Sequence, residues 1–384
     1  MMSDKDFRLF GYARPNGAKG IRNKLLILYT VNCSFHIASQ IAGQLRRDGQ
    51  DVDLVGNESC YDNQTMINQL LRLVTHPNVG AVLIAAYGCE FLQADKIAAY
   101  AASHGRPAQV LYGQRLGTAA AIQAGLEIAS GLLDRLKQAV RVPIPMGSIA
   151  LGVIPAACNG AGGALPERAV RLLDRLRGQG ASLLLGATPL CSSGQVRLYS
   201  REDALSPEAL SAVLEKVRKI SDLYSAPPCW RAAGPSDPVP VGIDGIVKLC
   251  QRPGRPGDTW LVDDVQDAQL ERGFRPIGVA GYMLDLICCG AQIIVAMVGQ
   301  GTTVGAAVAP VMKLRAPSGA TAGFEDDTDL VLDGPEDKRF FALLCQVING
   351  QHTAAERLGH REAVISQNIQ ISCQGGPAYA AMEQ

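Results

Sequence analysis

The sequence predicts an α/β protein built from parallel sheets flanked by helices, and three observations predict it. Short apolar runs alternate with segments of helical spacing. The apolar runs are nearly continuous, as in strands buried on both faces, and 41 glycines mark many of the junctions. With 384 residues, 47% of them apolar, the chain can bury a core in each of two domains.

After the glycine-containing opening GYARPNGAKGIRN (Gly11 to Asn23), Lys24 to Val31 reads as a buried strand, and FHIASQIAGQLRR follows with helical spacing. The unit recurs as VDLVG with DNQTMINQLLRLVTH, as GAVLIAAYG with FLQADKIAAYAASH, and as AQVLYG with a helix from Arg115 to about Val140. RVPIPMG (Arg141 to Gly147) interrupts this alternation. Its two prolines around one apolar residue favour an extended link, so the domains are expected at 1–142 and 143–384.

The second domain offers SIALGVI, a helix near Pro166 to Arg177, the strand ASLLLG, and a helix in SPEALSAVLEKVRKISDLY with Ser206 as N-cap and Pro207 at the first helical position. SAPPCWRAAGPSDPVP and LCQRPGRPGDTW read as loops. IGVAGYMLDLICCGAQIIVAMVG is long enough to span a bilayer, but Asp285, Gly290 and Gln292 interrupt it, and it reads as a buried helix and then a buried strand. The glycine loop QGTTVGAAVAP, the strand VMKLRA and C-terminal helices from about Asp337 complete two Rossmann-like α/β domains.

Thirty-six basic residues balance 36 acidic ones without a basic block, which argues against nucleic acid and anionic membrane as partners and for a small molecule or a protein. The start MMSDKDFRLF lacks a signal-peptide pattern, so the expected location is cytoplasmic and the 11 cysteines are expected to be reduced.

Three cysteines share one local address. Cys33, Cys89 and Cys158 each follow a predicted strand, where open α/β sheets bind ligands; Cys60 and Cys191 have similar but less clear positions. Several thiols at one cleft suit iron, zinc or an iron-sulfur cluster, and without a compact Cys-x-x-Cys set the ligands must come from distant loops. The competing reading is that free cysteine behaves as a small hydrophobe. Among five histidines, His36 lies three residues after Cys33 and can face the same cleft, His76 and His104 read as helix-end residues, and His360 reads as a surface cap near a helix start.

Gly299, Gln300, Gly301 and Thr302 begin a loop whose backbone amides can approach a carboxylate. Arg14, Arg22, Asn23 and Lys313 are candidates for holding substrate carboxylates, with solvated surface charge as the alternative.

Together, GYARPNGAKGIRN, TVNC, HPNVGAVLIAAYGCEFLQADKI, RGQGASLLLGATP, VGQGTTVGAAVAPVMKL and GQHTAAERLGHREAV resemble the altronate and galactarate dehydratases, including the large subunit of (2R)-sulfolactate sulfo-lyase. The resemblance implies a metal-dependent hydro-lyase, with iron as Fe2+ or an iron-sulfur cluster, or another divalent metal. Such an enzyme eliminates water from a sugar acid or related hydroxy acid to give a 2-keto-3-deoxy acid. A metal near Cys33, Cys89 and Cys158 would act as Lewis acid, with Glu90 or His36 as base.

Full-length sugar-acid dehydratases carry a further N-terminal domain, and this chain starts at the opening motif, so a large catalytic subunit with a separate small subunit is expected, as is a homo-oligomer. One departure stands out: the family's Lys-Cys-Gly-x-Ser-Asp reads AACNGA here, keeping Cys158 but not the lysine, serine or aspartate. Two alternatives follow, a carbon-sulfur lyase releasing sulfite from a sulfonated hydroxy acid such as sulfolactate, and a noncatalytic binding or regulatory subunit. A nucleotide-binding dehydrogenase is disfavoured, because no dinucleotide fingerprint opens a helix.

Overall fold

The computed structural model describes residues 8–154, 167–191, 196–224, 239–265, 278–298, 302–315, 323–332 and 337–365. It is an α/β structure of parallel sheets flanked by helices, divided into two compact units. One covers Gly11–Val142; the other takes Pro143–Val364 together with the first described residues up to Phe10.

In the first unit, β1 (Leu9–Ala13) pairs antiparallel with β2 (Lys19–Gly20), placing Tyr12 against Gly20. The main sheet contains β3 (Lys24–Tyr29), β4 (Val52–Gly56), β5 (Val79–Ala86) and β6 (Ala108–Tyr112), in the order β4-β3-β5-β6 and parallel throughout. Alternate strand residues face opposite layers. Leu25, Ile27, Ala81 and Leu83 pack with Ile37 and Ile41 of α1 (Asn32–Arg47) and Leu132 of α4 (Thr118–Lys137). α2 (Gln64–Val74) and α3 (Ala94–Ser103) pack against each other and against β5. Each fully buried Leu or Ile contributes about 1.5–3 kcal/mol, so the two-sided apolar pattern of β3 and β5 dictates a central position for both.

The sheet also buries one ion pair. Lys24, at the start of β3, lies 3.1 Å from Asp51 and 3.1 Å from Asp53, whose side chain is fully buried on β4. A desolvated carboxylate needs that cation, and the pair therefore favours the register that sets Leu26 beside Asp53.

The segment expected as the link forms the strand β7 (Arg141–Ile144), which spans the boundary between the units. A seven-stranded sheet follows, all of whose pairings are parallel, in the order β12-β13-β9-β8-β14-β15-β16. Its strands are β8 (Ala150–Ile154), β9 (Ser182–Gly186), β12 (Gly245–Lys248), β13 (Thr259–Asp263), β14 (Ile293–Val298), β15 (Val311–Arg315) and β16 (Leu330–Val331). The described helices are α5 (Glu167–Gly178), α6 (Ala187–Cys191), α7 (Pro207–Tyr224), α8 (Val279–Cys288), α9 (Asp337–Ile348) and α10 (Ala354–Leu358). The apolar segment around Asp285 is indeed a buried helix followed by a buried strand, and among the described residues no helix is long and apolar enough to cross a membrane.

Several strands escape the sequence reading, among them β12 and β13, the second of which starts inside LCQRPGRPGDTW, a segment expected to be a loop. β10 (Val196–Ser200) and β11 (Val239–Ile243) pair in parallel as a separate ribbon. β10 is only half-buried and β11 contains Pro240, so neither shows the continuous apolar run that marks the main sheet. The helix ends obey local rules: Thr353 and Glu356 form a capping box on α10, and Gly359 closes it in the left-handed region at φ 79.

Removing the ammonium takes from the buried Asp53 carboxylate the cation 3.1 Å away. Lys24→Met is expected to cost about 3–5 kcal/mol in urea denaturation, and adding Asp53→Leu to recover part of that loss.

Candidate functional site

The first unit gathers its chemistry at the carboxyl ends of β3, β4 and β5. The chain passes from β3 to β4 on one side and then to β5 on the other, so the crevice beside β3 and β5 is the topological switch point where such sheets take ligands. Glu90 occupies it. Its carboxylate accepts hydrogen bonds from the Thr30 hydroxyl and from the backbone N–H groups of Tyr87 at 3.0 Å, Gly88 at 2.6 Å and Cys89 at 2.9 Å. Partial burial pushes this carboxyl up, but the bonds from Thr30, Gly88 and Tyr87 outweigh it and hold Glu90 below the usual carboxylate value. The loop reaches this shape through Gly88, at φ 123, a conformation that strains any side chain.

The neighbouring loop locks onto the same rim. Asn57, just past β4, donates to the carbonyls of Ser59 at 2.6 Å and Tyr61 at 3.2 Å, while the Phe91 N–H donates to the Cys60 carbonyl at 3.0 Å. Tyr61 and Phe91 stack with centroids 5.4 Å apart. Cys33 is the second residue of α1, and His36 lies three positions further along, which puts both on one helix face; both are exposed. Cys89 and Cys60 are exposed as well.

The side chains of the opening motif are engaged within the protein. The Arg14 guanidinium donates to the Pro77 carbonyl at 2.7 Å, the Asn23 amide oxygen at 2.8 Å and the Arg22 carbonyl at 3.1 Å. Burial, with Arg106 adding repulsion, pushes it down to about 9. Asn23 donates to the Leu136 carbonyl at 3.0 Å, and Arg22 is buried and donates to the Ile21 carbonyl. Arg22 and Asn23 lie immediately before β3, so its six residues separate them from Cys33 and Glu90 by roughly 17 Å. Their polar groups serve the protein's own backbone at the opposite end of the sheet. Nothing in their residue types marks the difference, because a bidentate arginine suits a carbonyl pair as well as a carboxylate.

In the second unit, Lys313 on β15 is fully buried. Its ammonium donates to the Thr302 carbonyl at 2.7 Å and lies 3.4 Å from Asp327. Burial pushes Lys313 down, and Asp327 partly offsets this. Two expected site residues, Thr302 and Lys313, are thus in contact, through a backbone carbonyl. The rest of the glycine loop is seated on the segment after α10: Gly305 donates to the Glu362 carboxylate at 2.8 Å, and a β-carbon at Gly305 would come within 2.6 Å of the His360 carbonyl oxygen. His360 itself follows the C-terminus of α10, half-buried and 3.9 Å from Asp327, which corrects its reading as a surface cap near a helix start. Cys158, Gly299, Gln300 and Gly301 lie outside the described residues; the strands that lead to them, β8 and β14, are parallel neighbours at the switch point of this sheet.

One polar cluster is absent from the sequence reading. Asp264, just past β13 and fully buried, accepts from the Thr188 hydroxyl at 2.7 Å and the Thr188 N–H at 3.0 Å. Burial raises Asp264 to about 7. Burial and Asp264 also push the Cys191 thiol up to about 12 and raise Tyr282. The available signal was the polar pair Asp263-Asp264 directly after an apolar run, a pattern that surface turns share.

The thiol donors at the first rim suit iron or another borderline metal, but among the described residues no three His, Cys, Asp or Glu side chains are arranged to hold a single ion.

The described structure thus presents an acid and thiols at the strand ends of a parallel α/β scaffold, where such sheets take ligands. Two comparisons narrow the class. The signature described as D-galactarate dehydratase/altronate hydrolase, second domain, matches residues 11–137, and that of the D-galactarate/altronate dehydratase C-terminal domain matches residues 271–371. The chain belongs to the altronate/galactarate dehydratase family, a hydro-lyase class of enzyme. It is 23% identical to the (2R)-sulfolactate sulfo-lyase subunit beta of Chromohalobacter salexigens over 95% of this chain and 99% of that one. It is also 24% identical to the altronate dehydratase of Bacillus subtilis and 29% identical to that of Escherichia coli, over 56% and 40% of this chain. It spans 45% and 32% of those two relatives.

Two outcomes test this geometry. Glu90→Gln is expected to lower the unfolding midpoint at neutral pH. The gap from wild type should close as pH falls through the carboxylate range, because a depressed folded-state value stabilises only while the group is ionised. Asp264 behaves oppositely. Its folded-state value lies above the ordinary 3.8, so wild-type stability falls as pH rises toward about 7, and Asp264→Asn is expected to flatten that fall in urea midpoints measured across the range.

Proposed function

We propose that the chain is the large, catalytic subunit of a metal-dependent lyase that removes water from a sugar acid or related hydroxy acid. The observation that carries the reading is that Cys33, His36, Cys89 and Glu90 all follow strands ending at one sheet rim, in a chain of the dehydratase family. The reaction breaks the C2–H and C3–O bonds of a 2,3-dihydroxy acid. The C2 proton goes to a base, the C3 hydroxyl leaves as water with a proton, and the resulting enol tautomerises to the 2-keto-3-deoxy acid.

His36, exposed near the start of α1, is the proposed base. Glu90 serves better as a positioning residue, since its oxygens are engaged with the donors of two loops. Iron is the proposed cofactor, with Cys33 and Cys89 among its ligands and Cys158 outside the described residues; when bound, it would polarise the hydroxyl and carboxylate oxygens of the substrate. Thr302 and Lys313 remain proposed substrate-binding residues.

A specific observation favours a second reading. The alignment to the sulfo-lyase subunit beta runs nearly from end to end of both chains, and that relative is named as one subunit of its enzyme. A separate small subunit is proposed here on that ground, and sulfite replaces water as the leaving group in this alternative.

The test is an anaerobic assay of the purified chain, supplied with Fe(II) and its candidate small subunit, against sugar acids and sulfolactate. Formation of a 2-keto-3-deoxy acid is expected, with kcat reduced about 10²–10⁴-fold by His36→Asn at a similar KM. Sulfite release with every sugar acid untouched would overturn the dehydratase reading. Protein that contains no iron, and is unaffected by Cys33→Ser, would overturn the metalloenzyme.

A further inference from the structure

We propose that Arg115 receives the carboxylate of the hydroxy-acid substrate at the rim of the first sheet, with Tyr112 and Asp95 holding its guanidinium in place. The inference deepens the function proposed above. It rests on that reading for the identity of the ligand but not for the geometry of the subsite.

The first argument is place. β6 is the edge neighbour of β5, and the two strands end side by side, with Ala86 paired to Tyr112. The turn Gly113–Arg115 therefore leaves the sheet beside the loop that carries Glu90. Close contacts tie the turn to that loop. The Gln114 N–H donates to the Tyr87 carbonyl at 3.2 Å, and a β-carbon at Gly88 would lie 3.3 Å from the Gln114 amide oxygen and 3.6 Å from the Tyr112 ring. The turn also meets α1, since a β-carbon at Gly113 would come within 2.7 Å of the side chain of Ile37, the residue after His36.

The second is how the guanidinium is held. Its central carbon lies 4.7 Å from the centroid of the Tyr112 ring. The Tyr112 hydroxyl in turn donates at 2.6 Å to Asp95, in the first turn of α3. That bond, together with burial, pushes Tyr112 up to about 12, so the phenol stays a neutral donor and the ring stays fixed. Glu90 adds to the same shift, which places its carboxylate near this ring. Stacking on a ring uses the flat face of a guanidinium and leaves the N–H groups along its edge for a partner in the plane.

The third is what remains unspent. Arg115 is exposed, and among the described residues its guanidinium has neither a carboxylate partner nor a hydrogen-bond acceptor. Other arginines differ in one respect or the other. Arg14 and Arg22 are engaged with backbone carbonyls at the amino end of the sheet, and Arg177 and Arg201 are paired with Asp244 and Asp174. Among the described arginines of the first unit, Arg115 is the one that directly follows the carboxyl end of a main-sheet strand.

The fourth is chemical need. Glu90 is held ionised at this rim, so an anionic substrate needs a cation to settle beside it. The edge of a guanidinium matches the two oxygens of a carboxylate. When the base takes the C2 proton, the electron pair of the C–H bond moves toward the carboxylate oxygens, and a guanidinium facing them offsets the added charge.

The test uses glycerate, the smallest 2,3-dihydroxy acid, and its uncharged amide as probes of the purified full chain. In nitrogen-edited NMR spectra of the wild type, the Arg115 Nε–H signal is expected to shift with glycerate and not with the amide. Arg115→Gln should raise the Kd for glycerate about 10- to 100-fold. Arg135→Gln, which removes the same charge from the far end of α4, should leave it unchanged. Tyr112→Leu should make the Arg115 Nε–H mobile, read as a lower heteronuclear NOE, and weaken binding about 2- to 5-fold, with matched circular dichroism. A signal that glycerate does not move, an equal response to the amide, or an unchanged Kd in Arg115→Gln would overturn the proposal. Unchanged mobility in Tyr112→Leu would overturn the role given to Tyr112. Glycerate bound through Arg115 without elimination from any acid would sink the lyase reading alone; elimination whose KM ignores Arg115→Gln would sink the subsite alone.

Discussion

The first unit depends on the burial of β3, which is covered on both faces and paired on both edges. A strand in that position can carry almost no polar chemistry along its length, and its polar neighbours are pushed to its two ends. At the amino end, Lys24 neutralises Asp53, and Arg14 and Asn23 tie down the carbonyls of Pro77 and Leu136. At the carboxyl end, Glu90 collects the Thr30 hydroxyl and three backbone N–H groups. Both networks satisfy groups that the sheet itself cannot, but they differ in what they leave over. The amino end spends its side chains internally, whereas the carboxyl end leaves thiols and an imidazole facing outward.

The second unit has a larger sheet with a switch point of its own. β8 and β14 are neighbours at the point where the strand order reverses, and the two loops singled out for glycine and cysteine follow these two strands. Lys313 lies on β15, the next strand, where it is held by Thr302 and Asp327. An ammonium buried this deeply is costly unless paired, and its carbonyl and carboxylate partners meet that cost. Asp264 is the contrasting case: its hydrogen bonds come from Thr188, and burial still raises it to about 7. A carboxyl that changes charge near neutrality belongs to the groups worth testing in any elimination chemistry.

Much of the fold was legible because apolar runs and helical spacing are local signals. The strands VDLVG and SLLLG, the helix opened by Ser206 and Pro207, and the helix-strand pair around Asp285 all lie where their patterns place them. β10 and β11 were missed for a physical reason: a half-buried ribbon with Pro240 lacks the run of buried residues that signals a main-sheet strand. Site residues were legible less evenly. Cys33 and Cys89 can be assigned to a sheet rim because they follow strands. Arg14, Arg22 and Asn23 cannot be placed the same way, since a residue before a strand faces the far end of the sheet, and residue type alone does not say whether a guanidinium meets a ligand or a carbonyl.

By itself, then, the sequence determined the alternation of strands and helices and the presence of cysteines just after strands, both consequences of spacing along the chain. Only the tertiary structure decided strand order, and with it which loops share a rim. That order puts β4 and β5 on either side of β3 and so brings the segments carrying Cys60, Cys33 and Cys89 to one rim, although 27 positions separate Cys60 from Cys33 and 29 separate it from Cys89. The physical reason is that strand pairing is a contact between distant segments, selected by which apolar faces and buried charges can be satisfied together.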